Sequence, residues 1–92
     1  NYTVYKHTCP NGKVYIGITS RTLQERKTSG YSNNPHFHRA IKKYHWENIQ
    51  TEILFENLTE AEAKKKEIEA IAFYKSTDPN FGYNLSKGGD NK

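Results

Sequence analysis

Residues 3–19 read TVYKHTCPNGKVYIGIT, and this stretch decides the predicted fold. Two runs of β-branched and aromatic residues, 3–8 and 13–19, are separated by a Pro-Asn-Gly sequence. β-Branched and aromatic side chains favour strands, and Pro-Asn-Gly favours a tight turn. The stretch therefore predicts a β-hairpin with Tyr5 and Tyr15 on adjacent strands.

Gly17 interrupts the second run of the predicted hairpin. A glycine inside a strand marks either a bulge or a place where another backbone or a ligand approaches closely. The sequence leaves both interpretations open.

The rest of the chain carries alternating helix and strand patterns. Asn34 and Pro35 are typical of a helix start, and Thr59 to Glu62 forms a capping box. After the hairpin we predict a short helix at 21–27, a polar loop at 28–34, a helix from Pro35 to about His45, a strand at 49–56 and a helix from the capping box to about Tyr74. In the strand, alternation places Ile49, Thr51, Ile53 and Phe55 on one side.

Composition limits the function classes. A chain of 92 residues forms one domain, and 14 Lys+Arg against 10 Asp+Glu give a net charge of +4, which fits an anionic partner such as nucleic acid. The single cysteine, Cys9, cannot form an internal disulfide and suits a reducing compartment, so we expect a cytoplasmic protein. We expect no membrane span and no leader peptide. The start at Asn1 indicates a processed or excised piece of a longer chain.

Glu67 is the acid that the helical pattern singles out. On a helical projection it lies among Ala63, Ala70, Ile71 and Tyr74, whereas Glu62 and Glu69 point elsewhere. A carboxylate among apolar neighbours needs a cation, a hydrogen bond or a proton, and a divalent metal is one such partner. The alternative is an ion pair with Lys64 or an arginine at the edge of the stripe.

The tyrosines also have two interpretations. Tyr5 and Tyr15 are either ordinary packing residues or the phenols of a phosphodiester site. Such a site needs a group that orients water, a cation for the phosphate and a metal for the leaving oxygen. Arg26 is the candidate phosphate contact, because its planar guanidinium matches phosphate oxygens; a structural ion pair is its alternative.

The ordered motifs resemble the GIY-YIG nuclease domain over nearly the whole chain. The resemblance rests on Thr3-Val4-Tyr5, Lys13-Val14-Tyr15-Ile16-Gly17, Arg26, Glu67 within a helix, and Gly82-Tyr83-Asn84. The family includes phage and intron homing endonucleases and a bacterial excision-repair subunit. The resemblance implies an α+β fold, GIY-YIG nuclease-like, with a three-stranded antiparallel sheet flanked by helices. It also implies a metal-dependent endonuclease acting on double-stranded DNA, in a bacterial or phage-infected cytoplasm.

The resemblance also implies roles for five residues. Glu67 would hold Mg²⁺ or Mn²⁺ in a one-metal mechanism. One tyrosine, Tyr5 more than Tyr15, would orient or deprotonate the attacking water, and Tyr15 would position its partner by hydrogen bonding. Arg26 would neutralise the phosphate, and Asn84 would hydrogen-bond in the site and fix the terminal segment. A phenol loses its proton at neutral pH only beside positive charge, which Lys13 or the metal would supply.

The chain departs from the family at two places. The first motif reads Thr-Val-Tyr, which keeps the tyrosine. Gly30 stands where members carry His or Tyr, so the candidates for that substrate contact are Tyr31, His36 and His38. A fuller protein would carry a further DNA-binding region beyond Lys92, since a domain of this size offers little surface for sequence readout.

Other classes remain as alternatives. One is a non-catalytic nucleic-acid-binding module on the same fold, and another is a partner-binding domain with chance motif matches. The spacing of His7, Cys9, His36 and His38 does not fit a structural zinc site, which favours surface histidines. The run of lysines at 64–66 is either a solvated helix face or a DNA contact.

Overall fold

The computed structural model describes residues 1–20, 22, 24 and 34–85. Within them the chain forms three strands that pair in one antiparallel sheet of order β2-β1-β3. The predicted helix at 21–27 and the loop at 28–34 lie outside the described residues, apart from isolated positions. The elements are β1 (Tyr2–Thr8), β2 (Val14–Thr19), α1 (Pro35–Tyr44), a 3-10 turn (Trp46–Asn48), β3 (Gln50–Leu58) and α2 (Glu60–Tyr74). The α+β class with a three-stranded antiparallel sheet and helices is confirmed.

The hairpin forms as predicted. The Gly12 N–H donates to the Cys9 carbonyl at 2.8 Å, and Gly12 has φ +87°, a value that glycine adopts without strain. The resulting register places Tyr5 opposite Gly17 and His7 opposite Tyr15. All four residues therefore lie on one face of the sheet.

The third strand deviates from the predicted alternation. Tyr5 pairs with Ile53 and Val4 pairs with Phe55, so Leu54 is an extra residue in a β-bulge. The bulge moves Phe55 to the opposite face from Ile53 and leaves their side chains 40% and 49% exposed, respectively. The expectation that Ile49, Thr51, Ile53 and Phe55 share one side of the strand is therefore wrong beyond residue 53.

Both helices begin with the predicted caps. The Asn34 side chain accepts from the Phe37 N–H at 3.1 Å, directly before Pro35, and α1 ends at Tyr44. The Thr59 and Glu62 side chains accept from each other's backbone N–H groups, which completes the capping box of α2. These bonds satisfy N–H groups that the first helical turn leaves unpaired.

The sheet separates two apolar cores. On one face Tyr5 packs with residues of α1, including Phe37 and Ala40. On the other face Val4 and Ile16 pack with residues of α2, chiefly Ala63, Ala70 and Ile71. In the described part of the chain, no helix is long and apolar enough to cross a membrane.

Candidate functional site

Tyr5 is fully buried against Gly17. Its exposed fraction is 0%, and a Cβ placed on Gly17 would overlap the Tyr5 hydroxyl and lie 2.5 Å from Cζ. Gly17 therefore gives the phenol room to lie flat over the neighbouring strand. Of the two interpretations of this glycine, close approach is the one realised, and the approaching group is a side chain of the same hairpin.

An aromatic cluster of Tyr5, His7, Tyr15, Phe37 and Trp46 covers this face of the sheet. The His7 ring lies 4.9 Å from the Tyr5 ring and 5.0 Å from the Trp46 ring, between centroids. Its Nδ1 is 2.9 Å from the Thr51 hydroxyl oxygen, and the side chain is fully buried. The expectation of a surface histidine at this position is wrong. Strand alternation could have predicted it, because His7 follows Tyr5 by two residues.

Tyr15 is the more accessible of the two hairpin tyrosines. Its ring stacks on Phe37 with centroids 4.5 Å apart and planes within 7°, and the residue is only partly buried. Stacking on the α1 face fixes the direction of the phenol. Solvent can therefore reach Tyr15, whereas Tyr5 is closed off.

Asn84 is bound to the second tyrosine motif. Its Oδ1 accepts from the Ile16 N–H at 2.9 Å, and its Nδ2 donates to the Ile16 carbonyl at 2.8 Å. The Asn84 N–H donates to the Ser76 carbonyl, and Gly82 forms a parallel bridge with Val14. The amide therefore pairs with the edge of β2 as a strand would, at the residue between Tyr15 and Gly17.

Glu67 lies on α2 and is partly buried. Its helical neighbours Ala63, Ala70 and Ile71 pack on the sheet face opposite to Tyr5. Lys64, which the sequence offers as an ion-pair partner of Glu67, pairs with Glu60 at 3.3 Å. The acid thus lies on the sheet-facing stripe of the helix, as the helical projection predicted.

Two predicted site residues, Arg26 and Tyr31, lie outside the described residues. The remaining substrate-binding candidates are all described. Lys13 lies four positions from Gly17 along β2, so its backbone is about 13 Å from the level of Tyr5. Its ammonium lies 5.8 Å from the centroid of the Tyr83 ring. Lys13 therefore lies beside Tyr83, and its backbone is distant from the level of Tyr5.

His36 and His38 are on the first turns of α1. His36 is exposed and lines a groove with Lys13, Arg39 and Tyr83. His38 is partly buried, and its backbone N–H donates to the Asn34 carbonyl. Only His36 of the two shares a concave surface with Lys13.

Cys9, Asn11 and Tyr83 form a polar contact beneath that groove. The Asn11 Nδ2 donates to the Tyr83 hydroxyl at 2.9 Å. Burial raises the pKa of the Cys9 thiol above its ordinary value, and the hydrogen bond with Tyr83 opposes this only in part. Burial also raises the pKa of the Tyr83 phenol. Both groups therefore stay neutral at physiological pH.

A metal ion would have a limited set of protein ligands here. Among the described residues no three His, Cys, Asp or Glu side chains converge. A partly buried single carboxylate such as Glu67 nevertheless fits Mg²⁺, which keeps several waters and takes one or two carboxylates together with substrate phosphates. His7 and Cys9, the pair considered for zinc, are both buried in the packed core.

Comparison of the chain with models of protein families, with curated proteins and with solved structures gave no match.

Proposed function

We propose that this chain is a metal-dependent DNA endonuclease domain of the GIY-YIG type. The observation that supports the proposal is the double hydrogen bond between Asn84 and Ile16, which joins the last motif of the resemblance to the middle of the second. These two motifs are 68 residues apart in the chain. If the motif matches arose by chance, there would be no reason for the motif with Asn84 to contact the motif with Ile16.

The acid of the proposed site is Glu67, which would hold one Mg²⁺ or Mn²⁺ through its carboxylate. The ion would supply charge stabilisation for the scissile phosphate and the leaving 3′-oxygen. The partly buried position of Glu67 reduces competition from bulk water for that carboxylate. Arg26 is the proposed phosphate contact.

Of the two tyrosines, Tyr15 is the better candidate to orient the attacking water. A general base must lie within hydrogen-bond reach of the proton that it accepts. Tyr15 is partly exposed, and the fully buried Tyr5 has no access to bulk solvent. Burial thus reverses the order of roles that the resemblance implies, and gives Tyr5 the task of fixing the hairpin.

Nicking of supercoiled plasmid in Mg²⁺ or Mn²⁺ tests the proposal. We expect the wild-type domain to relax the plasmid and EDTA to prevent this. Glu67→Gln is expected to lower the rate by at least about 100-fold, and Tyr15→Phe by a similar factor, since each removes a group from the reaction. Arg26→Gln should lower the rate as well.

Glu69→Gln is the matched control, because it makes the same chemical change two residues away on an exposed position of α2. Its rate should equal that of the wild type. A plasmid that stays supercoiled with saturating wild-type protein in both metals contradicts the proposal. So does nicking that persists undiminished in Glu67→Gln. DNA binding without nicking in either metal indicates the non-catalytic nucleic-acid-binding module instead.

A further inference from the structure

A shallow groove lies between the hairpin turn, the start of α1 and the loop after α2. Its walls are Lys13, His36, Arg39, Pro79, Gly82 and Tyr83. Three of these side chains are basic and none is acidic. Two segments far apart in sequence, the hairpin turn and the start of α1, therefore bring basic groups to one concave surface, and the loop after α2 forms the remaining wall.

The start of α1 adds a second reason to expect an anion. The N-terminal end of a helix carries partial positive charge, and acidic side chains usually stabilise it. The first turn of α1 contains no acidic residue, and the basic His36 and Arg39 follow the Asn34 cap. Lys13 and Arg39 bring two positive charges to the groove at this end, and an anion bound there would offset their repulsion.

The acid nearest in sequence to the groove wall is Asp78, next to Pro79. Its carboxylate accepts from the Asn80 N–H at 2.9 Å, so it is engaged within its own turn. The Tyr83 hydroxyl accepts from Asn11. The groups of the groove wall that can bind an anion are therefore Lys13, His36 and Arg39. Lysine and arginine are the side chains typical of phosphate contacts.

We propose that this groove binds a backbone phosphate of double-stranded DNA, away from the phosphate that is hydrolysed. The inference rests on the proposed nuclease function and adds a positioning contact to it. Phe37, which stacks on Tyr15, follows His36 directly on α1. Tyr15 and the groove therefore both border α1, so that one duplex running past this helix would contact both.

Fluorescence anisotropy with a labelled duplex oligonucleotide in EDTA measures this contact without cleavage. The test variant is Lys13→Gln/Arg39→Gln. One phosphate contact contributes a factor of about ten in affinity at about 0.1 M salt, so the double variant, which removes both lysine and arginine charges from the groove, should bind about tenfold more weakly. The magnitude of the slope of log K against log salt should fall by about 1.

Lys65→Gln is the charge control. Lys65 is exposed on α2, whose buried residues pack on the opposite face of the sheet. One such substitution should leave the salt slope within about 0.3 of the wild type, because it lies outside the groove. Circular dichroism verifies that each variant is folded. For the wild type, amide resonances of Lys13, Gly82 and Tyr83 should shift on titration with the same duplex.

The proposal is overturned if the double variant keeps the wild-type affinity and slope. It is also overturned if Lys65→Gln alone changes the slope by half as much as the double variant does, because net charge then explains the loss. Absence of any duplex binding or of amide shifts at the groove overturns it too. The groove proposal and the nuclease proposal can fail separately. If the double variant loses affinity while nicking persists in Glu67→Gln, the groove is supported and the nuclease proposal is rejected. If the double variant binds like the wild type while Glu67→Gln abolishes nicking, the nuclease proposal is supported and the groove is rejected.

Discussion

At the scale of single residues, the contact between Tyr5 and Gly17 sets the geometry of the hairpin face. The phenol lies where any side chain at position 17 would have to be. Because Tyr5 is fully buried, it has no empty space into which it can move. The glycine of the second motif is therefore explained by the tyrosine of the first.

Gly17→Ala is expected to destabilise the fold by about 1–3 kcal/mol, because the added methyl group overpacks the contact. Urea unfolding measures the loss. In the double variant Gly17→Ala/Tyr5→Leu the smaller side chain vacates the overlap, so the loss should be smaller than the sum of the two single losses. Strict additivity of the two would show that the residues do not touch.

The buried Cys9 and Tyr83 predict how stability depends on alkaline pH. Burial raises the pKa of both groups from ordinary values of 9.0 and 10.0, so the folded protein keeps these protons when the unfolded chain loses them. The contribution of these two groups to the free energy of unfolding is fully present below pH 9.0, the ordinary pKa of the thiol. It is lost as pH rises through the pKa that each group has in the folded protein. The free energy of unfolding should therefore fall above about pH 9.

Urea titrations between pH 7 and 11 test this pH dependence. In Cys9→Ala the free energy of unfolding should begin to fall at a higher pH, in the range where Tyr83 titrates, because the thiol is absent. A decline that begins at the same pH in the wild type and in Cys9→Ala would contradict the assignment to the thiol.

At the scale of elements, the amide of Asn84 extends the sheet at the edge of β2. It pairs with both backbone groups of Ile16, and the neighbouring Gly82 bridges to Val14. A free strand edge otherwise exposes unpaired backbone groups to other chains. The C-terminal segment thus fixes the strand that carries Tyr15.

Asn84→Ala should destabilise the fold by about 1–3 kcal/mol, since it leaves the Ile16 N–H and carbonyl without their partner. Hydrogen exchange at the Ile16 amide should accelerate in parallel. The control is Asn80→Ala, an exposed asparagine in the same loop, for which stability should change by less than about 0.5 kcal/mol. Unchanged exchange at Ile16 in Asn84→Ala would refute the role of the amide.

The elements also show what the sequence can and cannot predict. The hairpin follows from its turn and its β-branched runs, and both helix starts follow from Asn34 and Thr59, because these signals are local. The bulge at Leu54 does not, since it depends on how β3 pairs with β1. The groove also escapes prediction, because Lys13, Arg39 and Tyr83 meet only through tertiary packing.

At the scale of the whole molecule, the proposed site requires groups from the two faces of the sheet to meet at its β2 edge, since β2 is an outer strand of the order β2-β1-β3. Tyr5 and Tyr15 lie on the α1 face, and the helix of Glu67 packs on the other. The helical projection predicted the correct stripe for Glu67, but it contains no information on which face of the sheet the helix covers. Asn84, at the edge of β2, is the described site residue that lies at the boundary between the two faces.

The central claim is that Glu67 holds a catalytic divalent metal. A crystal of the domain grown with Mn²⁺ and a duplex, measured for anomalous scattering, tests it most directly. We predict a manganese peak about 2.1 Å from a Glu67 carboxylate oxygen and its loss in Glu67→Gln. A manganese peak that has no contact with Glu67, or that persists unchanged in Glu67→Gln, would contradict the claim.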